Sequence, residues 1–180
     1  MIFRTATRRD LPALLALLAD EDAVTDPATV EVSRAHEQAF EDIDNDDRNE
    51  LLVLAEDGSG DAHAGGRAEG GVTDGGVTDE GVTDEDGAVL GFLQITYIPG
   101  LGRGGGERAL LEAVRIRADR RGAGLGRELI GAAIGRARRR GCSLVQLTSN
   151  KRRTEAHRFY ASLGFERSHD GFKLALAEAP

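Results

Sequence analysis

The stretch Arg121-Gly122-Ala123-Gly124-Leu125-Gly126 stands where a strand-like run gives way to a helix-like one. Upstream, residues 109–116 are apolar and partly alternating, as in a half-buried strand. Downstream, Leu125, Leu129, Ala132, Ala133, Ile134 and Ala137 recur at helical spacing, with Arg127, Glu128, Arg136 and Arg138 on the other faces. Glycines at such a junction let the backbone turn sharply and leave its amides uncovered by any Cβ. With the positive end of a helix dipole behind them, those amides form a cradle for phosphate oxygens. The chain therefore places an anion site where a sheet edge meets a helix.

Spacing decides which phosphate ligand fits. A nucleoside-triphosphate loop needs G-x-x-x-x-G-K-[ST], and no Lys follows these glycines. A dinucleotide fingerprint needs G-x-G-x-x-G, whereas Gly122, Gly124 and Gly126 alternate and residues 127–129 hold no further Gly. Nor does the next strand-like run, residues 144–147, end in the acidic residue that would hold a ribose. The pattern [Q/R]-x-x-G-x-[G/A] is met in full by Arg121, Gly124 and Gly126. After the helix come Gly141-Cys142-Ser143, a strand over 144–148, Ser149-Asn150-Lys151, and a second helix over 154–163 closed by Gly164-Phe165. With Asn150, Ala156-His157-Arg158-Phe159-Tyr160 and Leu163-Gly164-Phe165 in that order, residues 109–176 resemble the GNAT superfamily of N-acetyltransferases, which bind the pyrophosphate of acetyl-CoA on such a loop.

The resemblance implies an α/β (α+β) chain with the GNAT acyl-CoA N-acyltransferase fold, a mixed, mostly antiparallel sheet flanked by helices. Acetyl-CoA is the implied cosubstrate, with no metal. Arg121, Gly122, Gly124, Gly126 and Arg127 would hold the pyrophosphate, with Ala123 and Leu125 contributing their amides. The pantetheine arm would lie between two splayed strands, bonded to backbone groups near Val114 and Ile116, and Asn150 would reach the pantetheine or the adenine side.

Acetyl transfer to an amine needs a neutral amine, a polarised thioester carbonyl and a proton for the departing thiolate. The resemblance places Tyr160 as that proton donor. A phenol with a pKa of about 10 is protonated at neutral pH; the alternative is an aromatic packing beside Phe159. Glu112 is the candidate base, tuned by desolvation if it faces inward among Leu110, Leu111, Ala113 and Val114, or a solvated residue if it faces out. A backbone N–H near Val114 would serve as oxyanion donor. His157 reads as a surface or packing residue and Cys142 as inert, so direct transfer in a ternary complex is expected.

Earlier in the chain, residues 3–6 read as a strand, and Asp10 as the cap of a helix with Leu11, Leu14, Leu15 and Leu18 on its apolar face. A second helix is expected over 30–43, then buried strands over 51–55 and 89–98, and a last strand over 171–176. Between 57 and 88 lie 10 glycines and three copies of Gly-Val-Thr-Asp, starting at Gly71, Gly76 and Gly81. That segment lacks the apolar content to offset its ordering entropy, so a mobile acidic loop inserted into a single domain, 1–180, is expected. Weak Ca²⁺ binding by Asp74, Asp79 and Asp84, or a tether to a partner, are the functional alternatives.

Charge is uneven. Residues 1–56 hold 14 acids and 5 bases, residues 57–88 hold 9 acids and 1 base, and residues 89–180 hold 8 acids and 17 bases. The basic part thus contains the phosphate loop, although Arg136, Arg138, Arg139 and Arg140 also suit a helix C-terminus in their own right. Only two of the 23 basic residues are Lys, which fits a high-GC genome or a salt-adapted organism. The acids Asp20, Glu21, Asp22, Asp26, Glu31, Glu37, Glu41 and Asp42, with the glycine-rich turn 100–106, fall where the acceptor pocket is expected, and would suit a cationic amine or be ordinary solvated faces. A single Cys excludes a disulfide framework, and zinc-type spacing is absent. Without a signal-like or membrane-spanning run, a cytoplasmic protein is expected, binding neither membrane nor nucleic acid, with a homodimer common in the family. A non-catalytic CoA- or partner-binding module on the same fold is the competing function.

Overall fold

The computed structural model describes residues 1–22, 29–58 and 87–176, and in them a five-stranded sheet runs in the order β1-β2-β3-β4-β5. β1 (Ile2–Thr5), β2 (Asn49–Ala55), β3 (Val89–Ile98) and β4 (Arg108–Ile116) pair antiparallel in succession, and β5 (Leu144–Leu147) joins β4 in parallel. The helices in chain order are α1 (Leu11–Asp22), α2 (Arg34–Asp44), the four-residue turn α3 (Gly102–Gly105), α4 (Leu125–Arg140) and α5 (Thr154–Ser162).

β2 reads as an unbroken apolar run because both its faces are covered. Leu51 and Val53 join Phe92, Phe40 and the α1 residues Leu11, Leu14 and Leu17 on one face. Leu52 and Leu54 join Leu93, Ile95, Leu111 and the α4 residues Leu125, Leu129, Ile130, Ala133 and Ala137 on the other. The α4 stripe differs slightly from the sequence expectation: Ile130 is fully buried, while Ala132 and Ile134 only pack at its margin.

Caps explain where the helices start. Asp10 does not cap α1; Thr7 opens a 3-10 turn (Arg8–Asp10) ahead of it, and the Asp10 carboxylate reaches back to accept the Thr7 amide at 2.7 Å. Asp10 is buried against Arg4, whose guanidinium donates to both its oxygens at 2.7 and 2.9 Å. α2 begins later than expected because Ser33 takes the N-cap, its hydroxyl accepting the His36 amide at 3.3 Å.

Two further expectations meet the structure differently. The strand expected over 171–176 does not form; Phe172, Leu174 and Leu176 alternate correctly, yet they are exposed and, among the described residues, pair with no strand, the sheet there ending at β5. Period-two alternation states which side chains share a face, but only a neighbouring ladder makes a strand. Of the 57–88 segment, residues 59–86, with Asp74, Asp79 and Asp84, lie outside the described residues. At its base the Glu56 amide donates to the Ala88 carbonyl at 2.9 Å. Gly87 there has φ +65°, and a Cβ on it would sit 1.9 Å from the Glu56 oxygen, so only glycine fits.

A bulge in β4 positions the site. Between the pairs Phe92↔Arg115 and Gln94↔Glu112, β4 spends one residue more than β3, and Ala113 takes φ +50°. The extra residue flips the alternation. Ala109 and Leu111 face α4, Ala113 packs with the α1 side, and Val114 and Ile116 return to the α4 side.

Candidate functional site

β4 and β5 part company early. Their pairing runs from Arg108↔Leu144 to Leu111↔Leu147 and stops, while β4 continues to Ile116. The last five residues of β4, 112–116, thus carry no β5 neighbour. They border a notch between two parallel strands. Two carbonyls here are taken by arginines: Arg115 Nη1 donates to Val114 O at 3.0 Å, and Arg121 Nε to Ile116 O at 3.1 Å.

At the open end of the notch, a 3-10 turn (Ala118–Arg120) leads into the glycine loop and then α4. Gly122 and Gly124 have φ of +81° and +85°, and a Cβ built on either meets nothing within 4 Å. Gly124 is the N-cap of α4, its carbonyl accepting the amides of Arg127 and Glu128 at 2.9 and 3.3 Å. The amides of Gly122, Ala123, Gly124, Leu125 and Gly126 find no acceptor among the described residues, and the first helical amides have none within the helix. Five orphan donors beside open space at a helix N-terminus are what a pyrophosphate would satisfy. Gly126 is constrained from behind: its Cβ position lies 3.3 Å from Phe159 Cζ and 3.9 Å from Ile116 Cγ1, which ties the loop to both β4 and α5.

The arginines of the loop are engaged. Arg117 pairs with Asp119 at 2.7 Å and Arg120 with Glu56 at 2.5 Å, while Arg121 Nη2 donates to the Asp20 carboxylate at the end of α1. The Arg117 hydrogen bond holds the Asp119 carboxyl below its usual range. Arg127 reaches across to the Ser162 hydroxyl on α5 at 2.9 Å. Asp20, grouped in the sequence with the acids of the acceptor wall, therefore sits on the cradle instead.

On α5, Tyr160 is half-buried, its ring centroid 5.3 Å from that of Phe159 and 5.9 Å from that of Phe165. With Val114 and Ile116 it packs at the edge of the α4-side core, so the structure gathers the loop, the notch and Tyr160 in one region. Glu112 is exposed rather than enclosed by its apolar neighbours, so of the two orientations left open by the sequence its side chain takes the solvent-facing one. Pairing opposite Gln94 places it in a polar stretch of the sheet, where Gln94 and Thr96 both bond to Asn49 Oδ1. Asn150 spends its side-chain oxygen on the Arg152 amide at 2.9 Å, and its carbonyl meets His157 Nε2 at 2.9 Å. His157 thus braces the loop after β5.

Away from the notch, the arginine cluster at the other end of α4 is structural. Arg136 pairs with Glu50, and Arg140 pairs with Glu107 at 2.7 Å while covering the Tyr97 ring at 4.1 Å. Cys142 lies at that same end, its thiol pushed up by burial and by Glu107, which favours the unreactive protonated form. Among the described residues no group of three or more His, Cys, Asp or Glu is arranged to hold a metal, and no helix is long and apolar enough to cross a membrane. Sequence reasoning missed the partners of the loop (Asp20, Glu56 and Ser162), which lie far from it along the chain and carry no local signal.

Comparison with known proteins follows the same lines. The model of the acetyltransferase (GNAT) family matches residues 19–165. An aminoalkylphosphonate N-acetyltransferase from Salmonella typhimurium is 41% identical over 56 residues, 31% of this chain and 36% of that relative's length. The crystal structure of a transcriptional regulator from Bacillus halodurans C-125 is 34% identical with a TM-score of 0.73, covering 97% of this chain and 99% of the other. AAC(6')-Iy, solved with the bisubstrate analogue CoA-S-monomethyl-acetylneamine, shares the fold at 16% identity and a TM-score of 0.66, over 98% of this chain and 97% of its own. Motif, topology and family model agree, and the chain belongs to the GNAT family of acetyltransferases.

Proposed function

We propose that this protein is an N-acetyltransferase that passes the acetyl group of acetyl-CoA directly to an amine in a ternary complex. The observation that carries the reading is the set of five unpaired amides, 122–126, at the mouth of the β4–β5 notch. They suit the pyrophosphate in number, polarity and openness, and the same fold in AAC(6')-Iy accommodates a CoA bisubstrate analogue. Acetyl-CoA supplies the acetyl thioester; the chain supplies binding, orientation and proton transfer.

In this reading the amides of Gly122, Ala123, Gly124, Leu125 and Gly126 hold the phosphate oxygens, with Arg121 and Arg127 flanking them. The part of β4 without a β5 neighbour, at Val114 and Ile116, holds the pantetheine arm, and Asn150 offers its amide nitrogen at the entrance. The Val114 N–H, aligned by the bulge at Ala113, donates to the thioester oxygen as negative charge develops there. Tyr160, beside the notch, gives its phenolic proton to the departing sulfur. Glu112, exposed on the opposite face, takes the amine proton through water. The acidic first helices favour a cationic acceptor. The chain acts as one acetyltransferase domain carrying 57–88 as an insertion, in the cytoplasm where acetyl-CoA is supplied, alone or as a homodimer.

The test is release of free CoA on incubation with acetyl-CoA and a panel of polyamines, aminoglycosides, aminoalkylphosphonates and peptide amines. Turnover with at least one amine is expected, falling about 10²-fold or more in Tyr160→Phe with acetyl-CoA binding retained. Tight binding with no turnover on any amine would establish the non-catalytic module instead.

A further inference from the structure

We propose that Asp20 is a positioning residue that sets the cradle's affinity for phosphate by sequestering Arg121; this rests on the reading of the loop as the CoA site. Arg121 is the charged residue of the glycine motif, yet its guanidinium is spoken for. Nε donates to the Ile116 carbonyl at 3.1 Å and Nη2 to the Asp20 carboxylate. The side chains of this pair are 53% and 28% exposed, so the contact is only partly shielded from water. With Arg117 on Asp119 and Arg120 on Glu56, each arginine ahead of the cradle has a carboxylate of its own, and the free capacity lies in the amides.

Asp20 differs from the other two acids. Asp119 answers Arg117 within one turn and Glu56 answers the neighbouring Arg120, whereas Asp20 comes from α1 and engages the motif residue itself. Its location is unfavourable on local grounds. The last turn of α1 reads Ala19-Asp20-Glu21-Asp22 with no basic residue, although a helix C-terminus favours cations. The contact with Arg121 supplies a reason for the acid that the helix does not. The motif also admits Gln in place of Arg, so a neutral group suffices at this position, and the Arg121–Asp20 pair amounts to a neutral group. Removing the carboxylate leaves Arg121 as an uncompensated cation beside a site for a polyanion, and removes a negative charge that repels the same ligand.

Calorimetric titration of CoA, which carries no acetyl group and cannot turn over, tests this on the full chain. Asp20→Asn should bind CoA about three- to tenfold more tightly than the parent at low salt. That gain should vanish at about 0.5 M KCl, where screening is nearly complete. Asp20→Ala should repeat the gain. Arg121→Gln, which leaves the Asp20 carboxylate uncompensated beside the cradle, should bind CoA more weakly than the parent, whereas Asp20→Asn combined with Arg121→Gln, neutral like the parent pair, should return to the parent's affinity, a result that a purely structural role for Asp20 does not produce. Equal or weaker binding by Asp20→Asn overturns the proposal, as does a double variant that keeps the gain, since Asp20 would then not act through Arg121. If the parent binds no CoA, the cofactor reading itself falls; if it binds and the single Asp20 variants do not tighten, only the role of Asp20 falls.

Discussion

Gly124→Ala isolates the backbone conformation of the cradle from its packing. Gly124 has φ +85° and ψ −9°, and nothing lies within 4 Å of an added Cβ, so steric clash with neighbours contributes nothing. What remains is the left-handed backbone, which costs an L-residue about 1–2 kcal/mol. In a chain of 180 residues each kcal/mol lowers Tm by about 2–4 °C, so Gly124→Ala should unfold about 2–8 °C below the parent. Any relaxation of φ toward negative values swings the neighbouring amides out of alignment. Losing one charge-assisted amide–phosphate bond is worth about 1.5–3 kcal/mol, or roughly 10- to 150-fold in Kd for CoA.

Gly126→Ala is the matched control. Gly126 lies in the first turn of α4 at ordinary helical φ, and its Cβ would face Phe159 Cζ at 3.3 Å. The helix gains up to about 1 kcal/mol from Ala over Gly, and the small shift demanded of Phe159 offsets it, so stability should stay within about 1 kcal/mol of the parent. Differential scanning calorimetry and CoA titration on the two variants give the comparison. If Gly124→Ala melts with the parent and binds CoA as well, the left-handed turn is not what the cradle requires, and the reasoning from φ to phosphate is refuted.

Two predictions concern the frame that carries the site. Leu129→Ala removes a fully buried side chain from the α4-side core and should destabilise by about 2–5 kcal/mol, read from the urea midpoint at unchanged m-value. Burial disfavours the Asp10 carboxylate, but hydrogen bonds from Arg4 and the Thr7 amide and the Arg4 charge outweigh it, so its folded pKa lies below the unfolded value. A depressed carboxyl pKa stabilises the fold above the unfolded value of about 3.9, and that stabilisation is lost as pH falls through the folded pKa. The stability gap between the parent and Asp10→Asn should therefore be constant from neutral pH to about pH 5 and shrink below pH 4 in acid-unfolding curves. A gap that stays constant down to pH 2 contradicts the role given to Asp10.

Local pattern carried much of this fold. The apolar run at 51–55, the alternation at 109–116 and the helical stripe from Leu125 to Ala137 each became the element their periodicity describes, because backbone geometry ties period to structure directly. Sequence failed where the outcome depended on a partner. Residues 171–176 have strand alternation without a ladder, and Asp10 looks like a helix cap until Thr7 takes that place. Glu112 sits in an apolar run, yet the structure leaves it exposed. The bulge that separates it from Val114 arises from pairing with β3, which no local pattern encodes.

The same division runs through the phosphate loop. Its position between strand and helix, its alternating glycines and its GNAT spacing are properties of consecutive residues, and the sequence alone determined them. Tertiary structure decided which groups in the loop are free. Asp20, Glu56 and Ser162 take the Arg121, Arg120 and Arg127 side chains, so the orphan donors are the backbone amides. Asp20 and Arg121 are 101 residues apart in sequence, and charge carries no label naming its partner; only chain folding brings that carboxylate to that guanidinium.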